Sequence, residues 1–174
     1  PVLDENLAVT VKKIGGGTVS RYINEELKPG DWVRIMEPQG NFTTQFDKNN
    51  ERTLLLFAGG SGITPLISIL KTALEVESKS NVLLVYQNRN LQSVIYHDQI
   101  QDLLKKYPDN LKVVHILSKP EKSWMGRSGH LTAEMVHEIV DEEKISLDKT
   151  DVFFCGPTGM METAELVMDE LGID

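Results

Sequence analysis

Only one cysteine, Cys155, occurs in the 174 residues. That excludes an intramolecular disulfide and any cysteine-rich zinc or iron–sulfur site within the chain. A reducing, cytoplasmic setting is the default for such a composition. No apolar run approaches the ~18–20 residues needed to cross a bilayer, and no charged-then-apolar leader opens the chain. No membrane association is therefore expected. Basic residues are scarce: 18 Lys and Arg against 26 Asp and Glu leave a net charge of −8. With no basic stripe and no interleaved aromatics, a nucleic-acid partner is not expected either. The acidic balance fits a small-molecule enzyme or a docking face for a basic partner, and both stay open. The four histidines, His97, His115, His130 and His137, lack metal-ligand spacing and read as surface or satisfied residues. No Ser-His-Asp or paired-carboxylate arrangement stands out.

What is present suffices for a core of ordinary size, since 40% of residues are hydrophobic. The length exceeds one typical domain and falls short of two full ones. The first fifty residues read as β-rich. Leu7, Val9 and Val11 alternate with polar neighbours over residues 7–11, as in a half-buried strand. Gly15-Gly16-Gly17 breaks that pattern. A short amphipathic helix is predicted over residues 21–27 with Ser20 as its N-cap, then a turn at Pro29-Gly30 and a strand over 32–36. Residues 45–52 are polar and aperiodic, which predicts a linker and places the domain boundary between residues 50 and 51.

From residue 51 the pattern changes. Continuous apolar runs over 53–58, 82–86, 111–117 and 152–155 have the character of buried parallel strands. Helical periods separate them: Leu66, Ile67, Leu70 and Leu74; Ile100, Leu103 and Leu104; Met135, Val136, Ile139 and Val140; and a last helix over 161–171. This alternation predicts an α/β fold with a doubly wound parallel sheet over residues 51–174.

Two loops carry the chemistry. Ala58-Gly59-Gly60-Ser61-Gly62-Ile63-Thr64-Pro65 follows a predicted strand and opens a helix. Glycines there let the backbone approach a pyrophosphate, and the helix start offers free amides to an anion. Thr64 suits an N-cap and Pro65 the first helical position. Pro65 stands where the common G-x-G-x-x-G pattern places its third glycine. A tight turn with no ligand is the bland alternative. The second loop, Cys155-Gly156-Pro157-Thr158-Gly159-Met160-Met161, also ends a predicted strand, so both loops are expected to open on one crevice. A lone cysteine at a strand end is more often an inert hydrophobe; only the joint reading with the first loop makes it a participant. Met160 and Met161 suit packing better than chemistry.

The two motifs, in this order and about ninety residues apart, resemble the ferredoxin–NADP+ reductase superfamily. Gly17-Thr18-Val19-Ser20 is similar to that family's flavin-pyrophosphate turn, and Pro38-Gln39-Gly40-Asn41-Phe42 to the strand closing its flavin lobe. Tyr86-Gln87-Asn88-Arg89 with Ser93-Val94-Ile95-Tyr96 is most similar to reductase components of bacterial oxygenases, such as the phenylacetyl-CoA oxygenase type. The resemblance implies that residues 1–50 are the C-terminal part of an antiparallel β-barrel that binds FAD, and that 51–174 bind NAD(P). It implies Cys155 and Thr64 as the catalytic pair lining the nicotinamide pocket. Gly60, Gly62, Ile63, Thr64 and Pro65, with Cys155, Gly156, Pro157 and Met160, would hold the dinucleotide. Gly17, Val19 and Ser20 would hold the flavin's pyrophosphate. Hydride chemistry would then belong to the cofactors and positioning to the protein.

Arg89 follows the second strand of the α/β region, with no acid until Asp98; this favours NADPH over NADH, and Arg127 is expected to reach the same place. The alternative for Arg89 is an ordinary solvated charge. An Arg-x-Tyr-Ser/Thr strand that supports the isoalloxazine is missing from residues 1–51, and the chain starts at Pro1 and stops before the family's final aromatic strand. A fragment of a longer reductase is therefore expected, with FAD held poorly and little diaphorase activity. The implied whole protein passes electrons to an iron–sulfur domain or an oxygenase component. Competing readings are an NADH-using flavohaemoglobin-like or cytochrome-b5-reductase-like module, and a non-catalytic nucleotide-binding adaptor.

Overall fold

The structure is a computed structural model that describes residues 4–173. It divides into two compact units, one of residues Asp4–Thr43 and one beginning at Thr44.

In the Asp4–Thr43 unit the one regular element is a helix, α1 (Thr18–Glu25). Gly17 is its N-cap, in extended conformation and without a side-chain cap. Ser20 therefore lies inside the helix, not at its cap as expected, and its Oγ accepts from the Ile14 N–H at 3.3 Å. Glu25 closes the helix with an i,i+4 pair to Arg21 at 3.1 Å and a contact to Lys13 at 3.3 Å. The predicted turn is present: Lys28 N–H donates to the Asp31 carboxylate at 2.7 Å and Gly30 takes φ +98. The strands expected over 7–11 and 32–36 do not form. An alternating pattern makes a strand only when another strand completes its ladder, and no ladder is present among the described residues of this unit. Leu7, Val9 and Trp32 are consequently open to solvent.

The larger unit is built on five parallel strands: β1 (Thr53–Gly59), β2 (Asn81–Asn88), β3 (Leu111–Leu117), β4 (Arg127–Ser128) and β5 (Thr150–Cys155). Their order is β4-β3-β2-β1-β5, with Ala58 paired to both Tyr86 and Cys155. Helices α2 (Ile63–Val76), α3 (His97–Lys106), α4 (Ala133–Glu142) and α5 (Thr158–Leu171) cover it. Leu54, Leu56 and Ala58 face α2 and α3, while Leu55 and Phe57 face α4 and α5. Both faces of β1 are thus buried, which is why its sequence is apolar without alternation. Each fully buried leucine contributes about 1.5–3 kcal/mol relative to exposure.

Residues 45–52, read as a linker, are instead stitched to this unit. Arg52 pairs with Glu77 at 2.6 Å and with Asp151, and donates to Thr44 at 3.1 Å. Asn50 and Ser80 add hydrogen bonds to the Glu77 carboxylate at 2.7 and 2.8 Å. Polar residues in an aperiodic run look like a linker in sequence because their partner, Glu77, is distant along the chain.

β1 and its neighbour β5 send their following helices to opposite faces, α2 to one and α5 to the other. Such a switch point opens a crevice beyond the carboxyl ends of the two strands.

Candidate functional site

The loop after β1 turns sooner than the sequence suggests. Gly60–Gly62 is a single 3₁₀ turn, with Gly60 at φ +53, a left-handed conformation open to glycine at little cost. That turn carries the chain straight into α2, whose N-cap is Gly62 rather than Thr64. Thr64 and Pro65 fall within the first helical turn. The Thr64 hydroxyl donates to the Ser61 carbonyl at 3.0 Å, and Pro65 still occupies a position where no donor is needed. Ile63 is buried, while Ser61 is exposed.

The second loop begins where β5 ends. Cys155 is partly buried, and burial pushes its thiol pKa up, so it is a thiol at neutral pH. Pro157 is the N-cap of α5, and Met160 is buried in the helix's first turn with its N–H donating to the Pro157 carbonyl at 3.0 Å.

The two loops touch through their backbones. A side chain on Gly62 would overlap the Cys155 carbonyl oxygen. One on Gly156 would come within 2.6 Å of the Met160 methyl and 2.9 Å of the Gly59 Cα. Gly59, Gly62 and Gly156 are thus required by loop-to-loop packing. Gly62, expected to admit a pyrophosphate, is buried in that contact; Gly60 and the exposed Ser61 form the outward part of the turn.

Arg89 follows β2 at the same end of the sheet, and its side chain is exposed. Its carbonyl accepts from the Lys119 N–H at 2.8 Å, fixing the segment that carries it. Beside that segment is a hollow of about 140 Å³ lined by Leu91, Leu117 and Trp124. Arg127, in β4, pairs with Glu138 and, at 2.8 Å, with Glu142, so its guanidinium is engaged by α4. Gly17, Val19 and Ser20 open α1 in the other unit, where Gly17 lies so close to Ser20 that a Cβ would sit 2.6 Å from its hydroxyl. The first turn of α1 has no side-chain cap.

Several polar residues given no site role in the sequence stand toward this end of β2 and β3. The Tyr86 hydroxyl donates to the Gly60 carbonyl at 3.0 Å. Gln87 accepts from the Leu131 N–H at 2.6 Å. Asn88 Nδ2 and His115 Nδ1 are buried without a hydrogen-bond partner among the described residues. His115 is therefore not a satisfied histidine; burial, with a smaller effect of His97, lowers its pKa and keeps it neutral. The available signal was three polar side chains in succession ending an otherwise apolar strand. A larger cavity of about 380 Å³, lined by residues such as Asn81, Lys112 and Ile145, lies at the opposite, amino-terminal end of the strands. It is remote from both loops. No group of His, Cys, Asp and Glu among the described residues is suited to a metal ion, and no helix among them is long and apolar enough to cross a membrane.

Comparison with known proteins matches residues 56–165 to the oxidoreductase NAD-binding domain family. The chain is 34% identical over 180 residues to one of the subunits of 1,2-phenylacetyl-CoA epoxidase from Escherichia coli K12, covering 98% of this chain and 48% of that protein. It is 34% identical over 173 residues to the ferredoxin reductase component of 3-ketosteroid-9-alpha-monooxygenase from Rhodococcus rhodochrous, covering 99% and 45%. The chain thus spans about half the length of these relatives. Among solved structures, the CS-b5R domains of human Ncb5or in an NAD+ form superpose with a TM-score of 0.81 at 28% identity, over 94% of this chain and 45% of that one.

Proposed function

We propose, from the premise that this chain belongs to the oxidoreductase NAD-binding domain family, that it is the pyridine-nucleotide half of an NADPH-dependent FAD oxidoreductase. In the whole protein it would take part in passing electrons to an iron–sulfur centre or an oxygenase component. The observation that carries this reading is the backbone contact of the Gly62 and Cys155 loops at the switch point between β1 and β5. It makes one rigid rim from two loops, with Gly60 and Ser61 outward on one side and Cys155 on the other.

On this reading the pyrophosphate of the dinucleotide rests on the amides around Ser61, at the positive end of α2. The nicotinamide end lies toward Cys155 and Thr64, with Gly156, Pro157 and Met160 shaping the loop. Cys155, held as a neutral thiol by burial, supplies shape and polarity and no nucleophile. The adenosine end extends over β2 toward Arg89, whose exposed guanidinium suits the 2′-phosphate of NADPH. Gly17, Val19 and Ser20 would hold the pyrophosphate of FAD at the uncapped start of α1, and FAD when bound supplies the flavin redox chemistry. We place the boundary between the FAD-binding part and the NAD(P)-binding part between residues 50 and 51, a few residues after the division of the two compact units at Thr43 and Thr44.

Calorimetric titration of the chain with NADP+ and NAD+ tests this reading. Binding of NADP+ in preference to NAD+ is expected. Arg89→Asp should cost NADP+ affinity about 1.5–3 kcal/mol and leave NAD+ affinity nearly unchanged. An unchanged preference removes Arg89 from the site, and absence of binding to either nucleotide removes the function.

A further inference from the structure

The Tyr86 side chain is fully buried, yet it reaches the outermost feature of the site. It stands on β2 directly beside Ala58 of β1, on the α2 face of the sheet. Its ring packs in the core and its hydroxyl donates to the Gly60 carbonyl at 3.0 Å. The same hydroxyl lies 3.4 Å from the Ile95 carbonyl, on the segment that follows Arg89. The Gly60 carbonyl accepts a second hydrogen bond from the Ile63 N–H. Both of its lone pairs are therefore used, and the plane of the Gly60–Ser61 peptide is fixed from two directions.

That peptide plane has a consequence on its other side. In a trans peptide the C=O and the N–H point in opposite directions. A carbonyl pulled inward to β2 turns the Ser61 N–H away from the sheet. Gly60 is in the left-handed region, so the turn has no side chain to hold this orientation, and an anchor from elsewhere is needed. We infer that Tyr86 is a positioning residue for the dinucleotide: its hydroxyl holds the Gly60 carbonyl and so aims the Ser61 amide at the pyrophosphate. This rests on the reading of the crevice as a pyridine-nucleotide site. Burial, the largest influence on this phenol, pushes its pKa up to about 12, so it remains a donor at any working pH. The bond from the Ile63 N–H survives removal of the hydroxyl, so the loss of Tyr86 would loosen the peptide plane and leave the turn itself intact.

The test is Tyr86→Phe in the full chain, with three probes: NADP+, ADP, and adenosine 2′-monophosphate. The first two carry a pyrophosphate and the third does not. Affinity for NADP+ and ADP should fall about 3- to 10-fold, the effect of one hydrogen bond, while adenosine 2′-monophosphate is bound as before. A merely structural role would weaken all three alike or none, and either result overturns the assignment. If the unsubstituted chain binds neither NADP+ nor ADP, the nucleotide reading fails and the Tyr86 assignment with it. Should the variant not fold, NMR of the unsubstituted chain decides. The Ser61 amide resonance must move on adding ADP and stay in place with adenosine 2′-monophosphate; movement with neither, or with both equally, overturns the inference.

Discussion

A hydrogen atom occupies the space at Gly62 where any other residue would carry carbon. The Cys155 carbonyl oxygen is so close that a Cβ cannot be placed without moving one loop or the other. Gly62→Ala is therefore expected to cost about 1–3 kcal/mol or more through overpacking of backbone against backbone. The thermal midpoint should drop, and dinucleotide binding should weaken beyond what the loss of stability explains, because the rim itself is displaced. A variant with unchanged midpoint and affinity would contradict the contact. At the end of β5, Cys155 offers a simpler measurement. Its thiol pKa lies above the ordinary 9.0, through burial, so alkylation by iodoacetamide should be slow at neutral pH and accelerate only in alkali. At this scale the sequence was partly legible. The glycines announced a close approach, but whether to a ligand or to a second loop depends on which strands are neighbours. The left-handed Gly60, which moves the start of α2 forward and makes Gly62 the cap instead of Thr64, leaves no signature that distinguishes it from Gly59.

Among the elements, the end of α2 shows how charge is used where the sheet has no apolar cover. The Glu77 side chain is wholly buried at the amino-terminal side of the strands. Burial alone would raise its pKa, yet hydrogen bonds from Arg52, Asn50 and Ser80 hold it below the ordinary 4.5. Because the folded value lies below the unfolded one, the stabilisation is complete above about pH 4.5 and is lost as the pH falls through the folded value. Glu77→Gln should lower stability at neutral pH by about 3 kcal/mol, since Arg52 keeps its bonds to Thr44 and Gln45 but loses the buried one of its two carboxylate partners. It should also flatten the acid limb of the stability profile below about pH 5. Urea unfolding of both forms across that range checks both statements; parallel profiles would exclude the pair as an acid-sensitive tie. The strands of the sheet were legible because each is an uninterrupted apolar run, and the helices because each repeats on one face. The two-residue β4 was not, as so short a strand has no period. The expected strands over 7–11 and 32–36 had the right alternation, but a strand needs a neighbour as well as a pattern.

For the molecule as a whole, the two units differ in how they treat apolar surface. From Thr44 onward the large hydrophobic side chains are mostly buried, whereas in Asp4–Thr43 Leu7, Val9, Trp32, Ile35 and Met36 are open to solvent. A core that closes on itself should fold by itself. A chain beginning at Thr44 is therefore expected to unfold cooperatively, with a midpoint within a few degrees of the longer chain. Limited proteolysis should cut first within residues 4–43. Loss of cooperativity on removing these residues would show that the larger unit depends on them. The doubly wound architecture and the meeting of the two glycine loops beyond β1 and β5 were readable from the order of strands and helices. The engagement of Arg127 was not, because its carboxylate partners are brought to it by α4 packing across β4.

At Gly62 the two loops meet through main-chain atoms: a Cβ there would come first upon the carbonyl oxygen and carbon of Cys155 and the amide nitrogen of Gly156. Scaffold and side chain are therefore separable at this position. A serine or an alanine in place of Cys155 exchanges the fitting and leaves the socket as it was.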